Sequence, residues 1–362
     1  MKCLDLSRVL AGPLATMMLG DLGAQVIKIE KPGTGDDTRG WGPPFDDRGE
    51  SAYYLSVNRN KKSVALDLDQ QCDRELILEL ARGSDIVVDN FRPGALERRG
   101  IDPRRLVEEN SGLIWCTITG FGENNPRVGY DLVVQAESGW MSITGEAEGE
   151  PMRAGVALAD IIAGKDAAIS ILAALVAKSV SSGALPPEKR RIHISLSASA
   201  TAALINVAQN SLVTGRDARR WGNQHPNLVP YQLFHAADRP IIVAVGSDSQ
   251  WKGCARALGL DALADDVSVS TNAGRLTSRD RIVLAVAEKL RERPAAEWIA
   301  KLDAAGVPCG LVKTVLESLS EVSVSPLTGI APSVPGDVRL PPPRLDEHGE
   351  EIRRLRWGAF DR

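Results

Sequence analysis

The sequence predicts an α/β protein: a large domain on a mainly parallel sheet, a smaller α/β domain after it, and a C-terminal segment that returns to the first. Three observations carry this. Short apolar runs with strand character alternate with helical patterns through the first half of the chain, which argues for a parallel sheet covered on both faces. Glycines stand where the early helices must stop, at Gly23 and Gly83. The length, 362 residues, leaves room for two domains or three.

From the N-terminus, KCLDLS reads as a strand, PLATMMLGDLG as a helix and AQVIKIE as a strand closed by PGTGD, a β-α-β unit. KSVALDL is the next strand, QQCDRELILELARG a helix and DIVVDNF a strand. A short helix around PRRLVEE precedes the strand LIWCTITGFG. IIAGKDAAISILAALVAKSV is apolar enough for a buried helix, SSGALPPEKRR breaks the chain, and RIHISLS alternates like a strand before the helix ASATAALINVAQNSLVTG.

Composition shifts at RDARRWGNQHPN, which sets the boundaries at 1–218 for the large domain and 219–318 for the small one. In the small domain PIIVAVGSDSQWKGCARALG reads strand, loop, helix, followed by two helices and VPCGLV. The remainder, 319–362, is Pro-rich from Pro326 onward and reads as an extended tail crossing back.

A net charge of −4 and a pI near 5.7 supply no global basic field, so neither nucleic acid nor a membrane surface is an expected partner. Five cysteines without a CxxC pair (Cys3, Cys72, Cys116, Cys254, Cys309) fit core residues in a reducing cytoplasm. MKCLDLSRVLAGP lacks signal-peptide character, and no apolar run reaches the roughly 18 residues of a membrane span. Four histidines, none spaced with another as ligands, predict no metal site.

Neither GxGxxG after a strand, nor GxxxxGK[ST], nor GxSxG occurs, which disfavours a dinucleotide-dependent dehydrogenase, a P-loop kinase and a serine hydrolase. Basic residues do recur on the loops after the early strands: Arg8, Arg39, Lys61-Lys62, Arg92 and Arg98. As a set they suit phosphate clamping, and singly each also suits a solvated surface. His225 is open to a ligand, acid/base or structural role, and His193 is placed facing solvent. Trp41, Trp140 and Trp221 are candidates for a pocket wall or for packing.

The sharpest feature is Asp160, alone in the apolar run GVALADIIAG. Two roles are open to it from composition: a cap at the start of the following helix, or a carboxylate nucleophile in a dry pocket. The small neighbours Gly155, Ala157, Ala159 and Gly164 permit close backbone approach.

Together, LDLSRVLAGPLATMMLGDLGAQVIKIEKPGTGDDTRGW, SVNRNKKSVALDL, VVDNFRPGALERRG, GYDLVVQAESGWMSITG and the Asp160 run resemble, in order and spacing, the family III CoA-transferases, which include formyl-CoA transferase and carnitine CoA-transferase. The resemblance extends through GVPCG and PPPRLDEHGEE. It implies a Rossmann-like large domain, an interlocked homodimer, and coenzyme A as a carried substrate rather than a tightly bound cofactor. It also implies ATP-independent transfer of CoA from an acyl-CoA to a carboxylic acid, through an aspartyl anhydride and an aspartyl-CoA thioester on Asp160. The implied CoA contacts are Val9, Leu10, Ala11, Arg39, the strand segment Leu66, Asp67 and Leu68, then Asn90, Phe91, Arg92 and Arg98; Tyr130, Asp131 and Gln135 are implied near the aspartate.

Two departures refine this expectation. The α-methylacyl-CoA racemases of the same fold carry GHD where this chain has GYD at Tyr130, and a phenol with an ordinary pKa near 10 is a poor substitute for imidazole as base. No GGGG loop of the formyl and oxalyl type is present; GNQHPNLVPYQLF stands in that region, which points to the branch using succinyl-CoA or other short acyl donors with dicarboxylates. A racemase and a CoA-binding protein without turnover are the alternatives.

Overall fold

The computed structural model describes residues 1–181, 185–322 and 330–361. The predicted break at SSGALPP and the start of the Pro-rich tail at Pro326 fall partly outside them. The chain divides into two units: Met1–Ser142 with Arg153–Ala218 and Val322–Arg362, and Ile143–Met152 with Arg219–Glu321. Ile143–Met152 thus groups with the second unit, away from the sequence neighbours on both sides.

In the first unit, β1 (Lys2–Asp5), α1 (Ala11–Asp21) and β2 (Gln25–Glu30) form the opening β-α-β. β3 (Lys61–Ala65), α2 (Gln71–Arg82), β4 (Ile86–Asp89), α3 (Pro103–Glu109) and β5 (Ile114–Thr119) continue the alternation. α4 (Asp131–Glu137) and the long α5 (Leu158–Val180) precede β6 (Arg191–Ser195), and α6 (Leu196–Ala202) and α7 (Ile205–Thr214) follow it. The single helix expected over the last stretch is therefore two, parted where Ile205 takes a φ of 42°.

The six strands are parallel in the order β3-β2-β1-β4-β5-β6. That order reverses between β1 and β4, and the carboxyl ends of strands at such a switch point form a natural ligand crevice. α2 shows why the helices cover the sheet: Leu76, Ile77, Leu80 and Ala81 recur on one face and are its buried residues. They join Trp115 and Val87 on one side of the sheet, while Val26, Val88, Ile118 and Ile171 build the other. α5 is not wholly buried as expected; Ile169, Val176 and Val180 are exposed. Cys72 is likewise exposed, while Cys3, Cys116 and Cys254 are in the core.

The C-terminal segment adds to the first unit's sheet edge. Asn60 donates its backbone N–H to the Leu340 carbonyl, and its side chain bonds Asp21, the Asp337 carbonyl and the Arg339 N–H. α8 (Gly349–Leu355) packs by β3, where Lys62 pairs with Glu351 at 2.8 Å and also donates to the Ala359 carbonyl.

In the second unit, β7 (Tyr231–His235), β8 (Pro240–Ala244) and β9 (Cys309–Leu311) form an antiparallel sheet in that order. Helices at Asp248–Ala257, Arg279–Leu290 and Ala295–Ala304 cover it over a core that includes Trp251 and Trp298. Among the described residues no helix is long and apolar enough to cross a membrane.

Candidate active site

Asp160 stands three residues into α5, after Ala157 at the cap position. Among the described residues its side chain accepts no helix N–H, so the capping role open to it is not the one it performs. The cap is supplied by Asp131, whose Oδ1 accepts the Ala159 N–H at 2.8 Å. Buried Gln135 completes the arrangement: its amide donates to Asp131 Oδ2 at 2.6 Å and to the Val156 carbonyl, and its oxygen accepts the Ala154 N–H at 2.9 Å. The first turn of α4 thus fixes the chain entering α5, and the Asp160 carboxylate stays free of the backbone.

That carboxylate is half-buried and lines a cavity of about 210 Å³ together with Arg8, Val9, Asn90, Phe91, Arg92 and Tyr130. Its pKa is pushed up to about 7, first by burial, which penalises the charged form, and then by the negative charge of Asp131. A carboxylic group poised near neutrality in a cleft is a functional candidate on physical grounds. Tyr130 immediately precedes α4 and is exposed.

A second cavity, about 480 Å³, shares Arg8, Phe91 and Arg92 with the first and adds Leu66, Asp67, Leu68 and Arg98. The strand expected over Leu66–Leu68 ends at Ala65, so these three residues form the loop leaving it, at the carboxyl edge of the sheet. Arg92 and Arg98 are exposed and form no ion pair among the described residues. The two cavities follow the ends of β1, β2, β3 and β4 across the switch point.

Other cations expected on this rim are turned inward. Arg39 donates to Glu30 at 2.8 Å through both Nε and Nη2, to Glu50 at 2.7 Å and to the Pro343 carbonyl, with its guanidinium over the Tyr54 ring. Lys61 lies on β3, not a loop, and its ammonium is fully buried against Asp5 Oδ2, the Pro13 carbonyl and Asn58, each at 2.9 Å. These pairs consume the charges that a rim clamp would need. Leu10, Arg39, Asp131 and Gln135 line neither cavity.

The remaining candidates line neither cavity. His193 does not face solvent freely: it is half-buried, and its Nε2 is buried with no hydrogen-bond partner among the described residues. His225 accepts the Asn227 N–H on Nδ1 at 3.0 Å and packs on Tyr231, a local structural role. Trp41 meets Tyr53 edge-on, Trp140 donates to the Ala200 carbonyl, and Trp221 packs against the guanidiniums of Arg219 and Arg279. Tyr53 was not singled out by sequence. Its hydroxyl is pushed up to about 12, by burial first and then by the charge of Asp160, so it belongs to the surroundings of Asp160. The available signal was a Tyr-Tyr pair in a chain with only four tyrosines. Among the described residues, no group of His, Cys, Asp and Glu is arranged to hold a metal ion.

Fold and cleft define a doubly wound α/β protein whose switch-point crevice runs from the exposed guanidiniums of Arg92 and Arg98 to the carboxyl group of Asp160. CoA-transferase family III matches residues 1–348, and the chain belongs to that family: it is a CoA-transferase. It is 40% identical over 374 residues to the human succinyl-CoA:glutarate CoA-transferase, covering 97% of this chain and 84% of that protein. It is 39% identical to the succinate–glutarate CoA-transferase of Agrobacterium fabrum, covering 89% and 82%. The crystal structure of a CAIB/BAIF family protein from Brucella suis superposes with a TM-score of 0.83 at 35% identity, covering 98% of this chain and 97% of that one.

Proposed function

We propose that this enzyme moves CoA from succinyl-CoA to a short dicarboxylic acid, glutarate being the first candidate, with Asp160 as covalent nucleophile. The carrying observation is the Asp160 carboxyl group, uncapped and half-buried at the end of a cleft lined by Arg8 and Arg92. The names of the human and Agrobacterium relatives support the substrate class, as does the missing glycine-rich loop.

In the first step a carboxylate oxygen of Asp160 attacks the thioester carbonyl; the C–S bond breaks and the CoA thiolate leaves an aspartyl–acyl anhydride. The thiolate attacks the Asp160 carbonyl carbon, expelling the donor acid and leaving an aspartyl-CoA thioester. The acceptor carboxylate then attacks that thioester carbonyl and frees the thiolate again. Finally the thiolate attacks the acceptor's carbonyl in the new anhydride, giving acceptor-CoA and restoring Asp160. A carboxylate suits this because its anhydride exchanges acyl partners without losing the activation of the thioester, and a water-poor cavity protects it from hydrolysis.

In this reading Arg92 and Arg98 clamp CoA phosphates, Val9, Ala11, Phe91 and the segment Leu66–Leu68 line the carrier, and Leu10, Arg39 and Asn90, whose side chain is committed to the Arg8 backbone, act from behind as supports. The working form is proposed as a homodimer in the cytoplasm; exposed Ile205, Leu212 and Val213 on α7 offer an apolar face for a second copy. Sedimentation equilibrium at twice the monomer mass supports the dimer, and a monomer at micromolar concentration refutes it.

The test of the mechanism is direct. Wild-type enzyme incubated with succinyl-CoA and treated with borohydride or hydroxylamine acquires a modification at Asp160 by peptide mass spectrometry. An Asp160→Ala variant that transfers CoA to glutarate as fast as wild type sinks the proposal. Deuterium exchange at the α-carbon of a 2-methylacyl-CoA, without any acceptor, would instead establish the racemase reading.

A further inference from the structure

The loop from β1 to α1 is held in a conformation that its sequence resists. Val9 sits at φ 73°, the left-handed region, where a β-branched residue is strained. Such a residue persists only where its surroundings over-determine it. Here side chains from several elements hold the loop's backbone groups. Asp5 Oδ1 accepts the Ser7 N–H at 2.9 Å, and Lys28 donates to the Ser7 carbonyl at 2.9 Å. Asn90 brackets Arg8, accepting its N–H at 2.9 Å and donating to its carbonyl at 2.7 Å. The carboxylate of Asp36 takes the Val9 N–H at 3.2 Å. Lys28 and Asp36 are themselves paired at 3.0 Å with both side chains fully buried.

The held loop is a wall of the cavity that contains Asp160. It also sets where α1 begins, and there the fit is tight: a Cβ on Gly164, one turn after Asp160, would lie 2.6 Å from the Ala11 carbonyl oxygen. A relaxed Val9 would move both the wall and the first turn of α1 against the helix carrying Asp160.

We propose that Asn90 and the buried Lys28–Asp36 pair are positioning residues, which keep Val9 in its left-handed conformation and so preform the wall of the acyl-CoA cleft beside Asp160. The inference rests on the reading of that cleft as the acyl-CoA site. None of the three need touch the reacting atoms; they act through the Ser7–Val9 backbone.

Glycine adopts this φ without cost, so Val9→Gly separates positioning from direct contact. Calorimetric CoA affinity and the KM for succinyl-CoA are measured for wild type, Asn90→Ala, Val9→Gly and the double variant. Asn90→Ala is expected to weaken CoA binding about tenfold when residue 9 is the native valine, the size of the strain released, and by less than about twofold in the Val9→Gly background. The Lys28→Met/Asp36→Asn double replacement, which removes both buried charges together, is expected to show the same dependence on residue 9. An equal loss from Asn90→Ala in both backgrounds means Asn90 acts by contact or by general stability and overturns the inference alone. Wild-type enzyme that binds no CoA overturns the reading of the cleft, and the inference with it.

Discussion

Asp131 and Asp160 stand on different helices, yet the first serves the second: Asp131 Oδ1 holds the Ala159 N–H at 2.8 Å, one residue before Asp160. One carboxylate satisfies the helix and leaves the other without a backbone partner. Its charge also adds to the burial that lifts Asp160 to about 7.

Under the proposed mechanism, activity is therefore expected to rise with pH through the neutral range as the Asp160 carboxyl ionises. Asp131→Asn keeps an oxygen for the Ala159 N–H but removes the charge, so the rising limb of the kcat profile shifts to lower pH. Asp131→Ala loses the cap as well, with a destabilisation of about 1 kcal/mol. An unmoved limb in Asp131→Asn means Asp131 does not act on the ionisation of Asp160.

Asp160→Asn is expected to abolish transfer while making the fold more stable above neutrality. The sign follows from linkage: with a folded pKa near 7 and an unfolded value near 4, the native state holds the extra proton between those values. Wild-type stability then falls as pH rises through the folded pKa. The gain of Asp160→Asn over wild type is about 1–3 kcal/mol at pH 8, discounted for the half-exposed setting, and close to zero at pH 4. Urea unfolding at the two pH values measures it, and a gain independent of pH contradicts it.

Arg92→Ala and Arg98→Ala are expected to raise the KM for acyl-CoA several-fold at low salt, with a smaller effect at high salt, and to leave stability within about 0.5 kcal/mol of wild type. Arg39→Ala should do the reverse. It strands Glu30, which sits at 2.8 Å from the guanidinium in the core, and breaking such a buried pair costs about 3–5 kcal/mol. Thermal unfolding and steady-state kinetics on the three variants separate the two roles.

Gly164→Ala inserts a methyl group against the Ala11 carbonyl at 2.6 Å, where backbone rather than a flexible side chain must yield. A destabilisation of about 1–3 kcal/mol is expected from the overpacking. A kcat loss should accompany it, since the same helix turn carries Asp160. A fully active, equally stable variant would falsify the close approach of α1 and α5.

The parallel sheet was legible because its strands and helices have different apolar periods, as β2 and α2 show. Asp160 was legible as an oddity, one charge in an apolar run, but its freedom from capping was not, since the residue that replaces it, Asp131, lies 28 positions away from the N–H it holds. The same limit applies to the cations. Arg39 and Arg92 both follow strands and read alike in sequence; only the third dimension brings Glu30, Glu50 and Tyr54 around the first and leaves the second exposed. The break between α6 and α7 was hidden for a related reason, since no Gly or Pro marks Ala203-Leu204-Ile205.

The returning C-terminal segment has a consequence for how the chain is made. Partners of Asn60 and Lys62 lie at Asp337, Arg339, Glu351 and Ala359, 277 to 297 positions later, with the second unit encoded in between. A ribosome delivers Arg219–Glu321 before the first unit has its edge. The sheet margin that carries Asn60 and Lys62 therefore stays open until residues 337–359 emerge, and closing so distant a pairing is the slow kind of folding step.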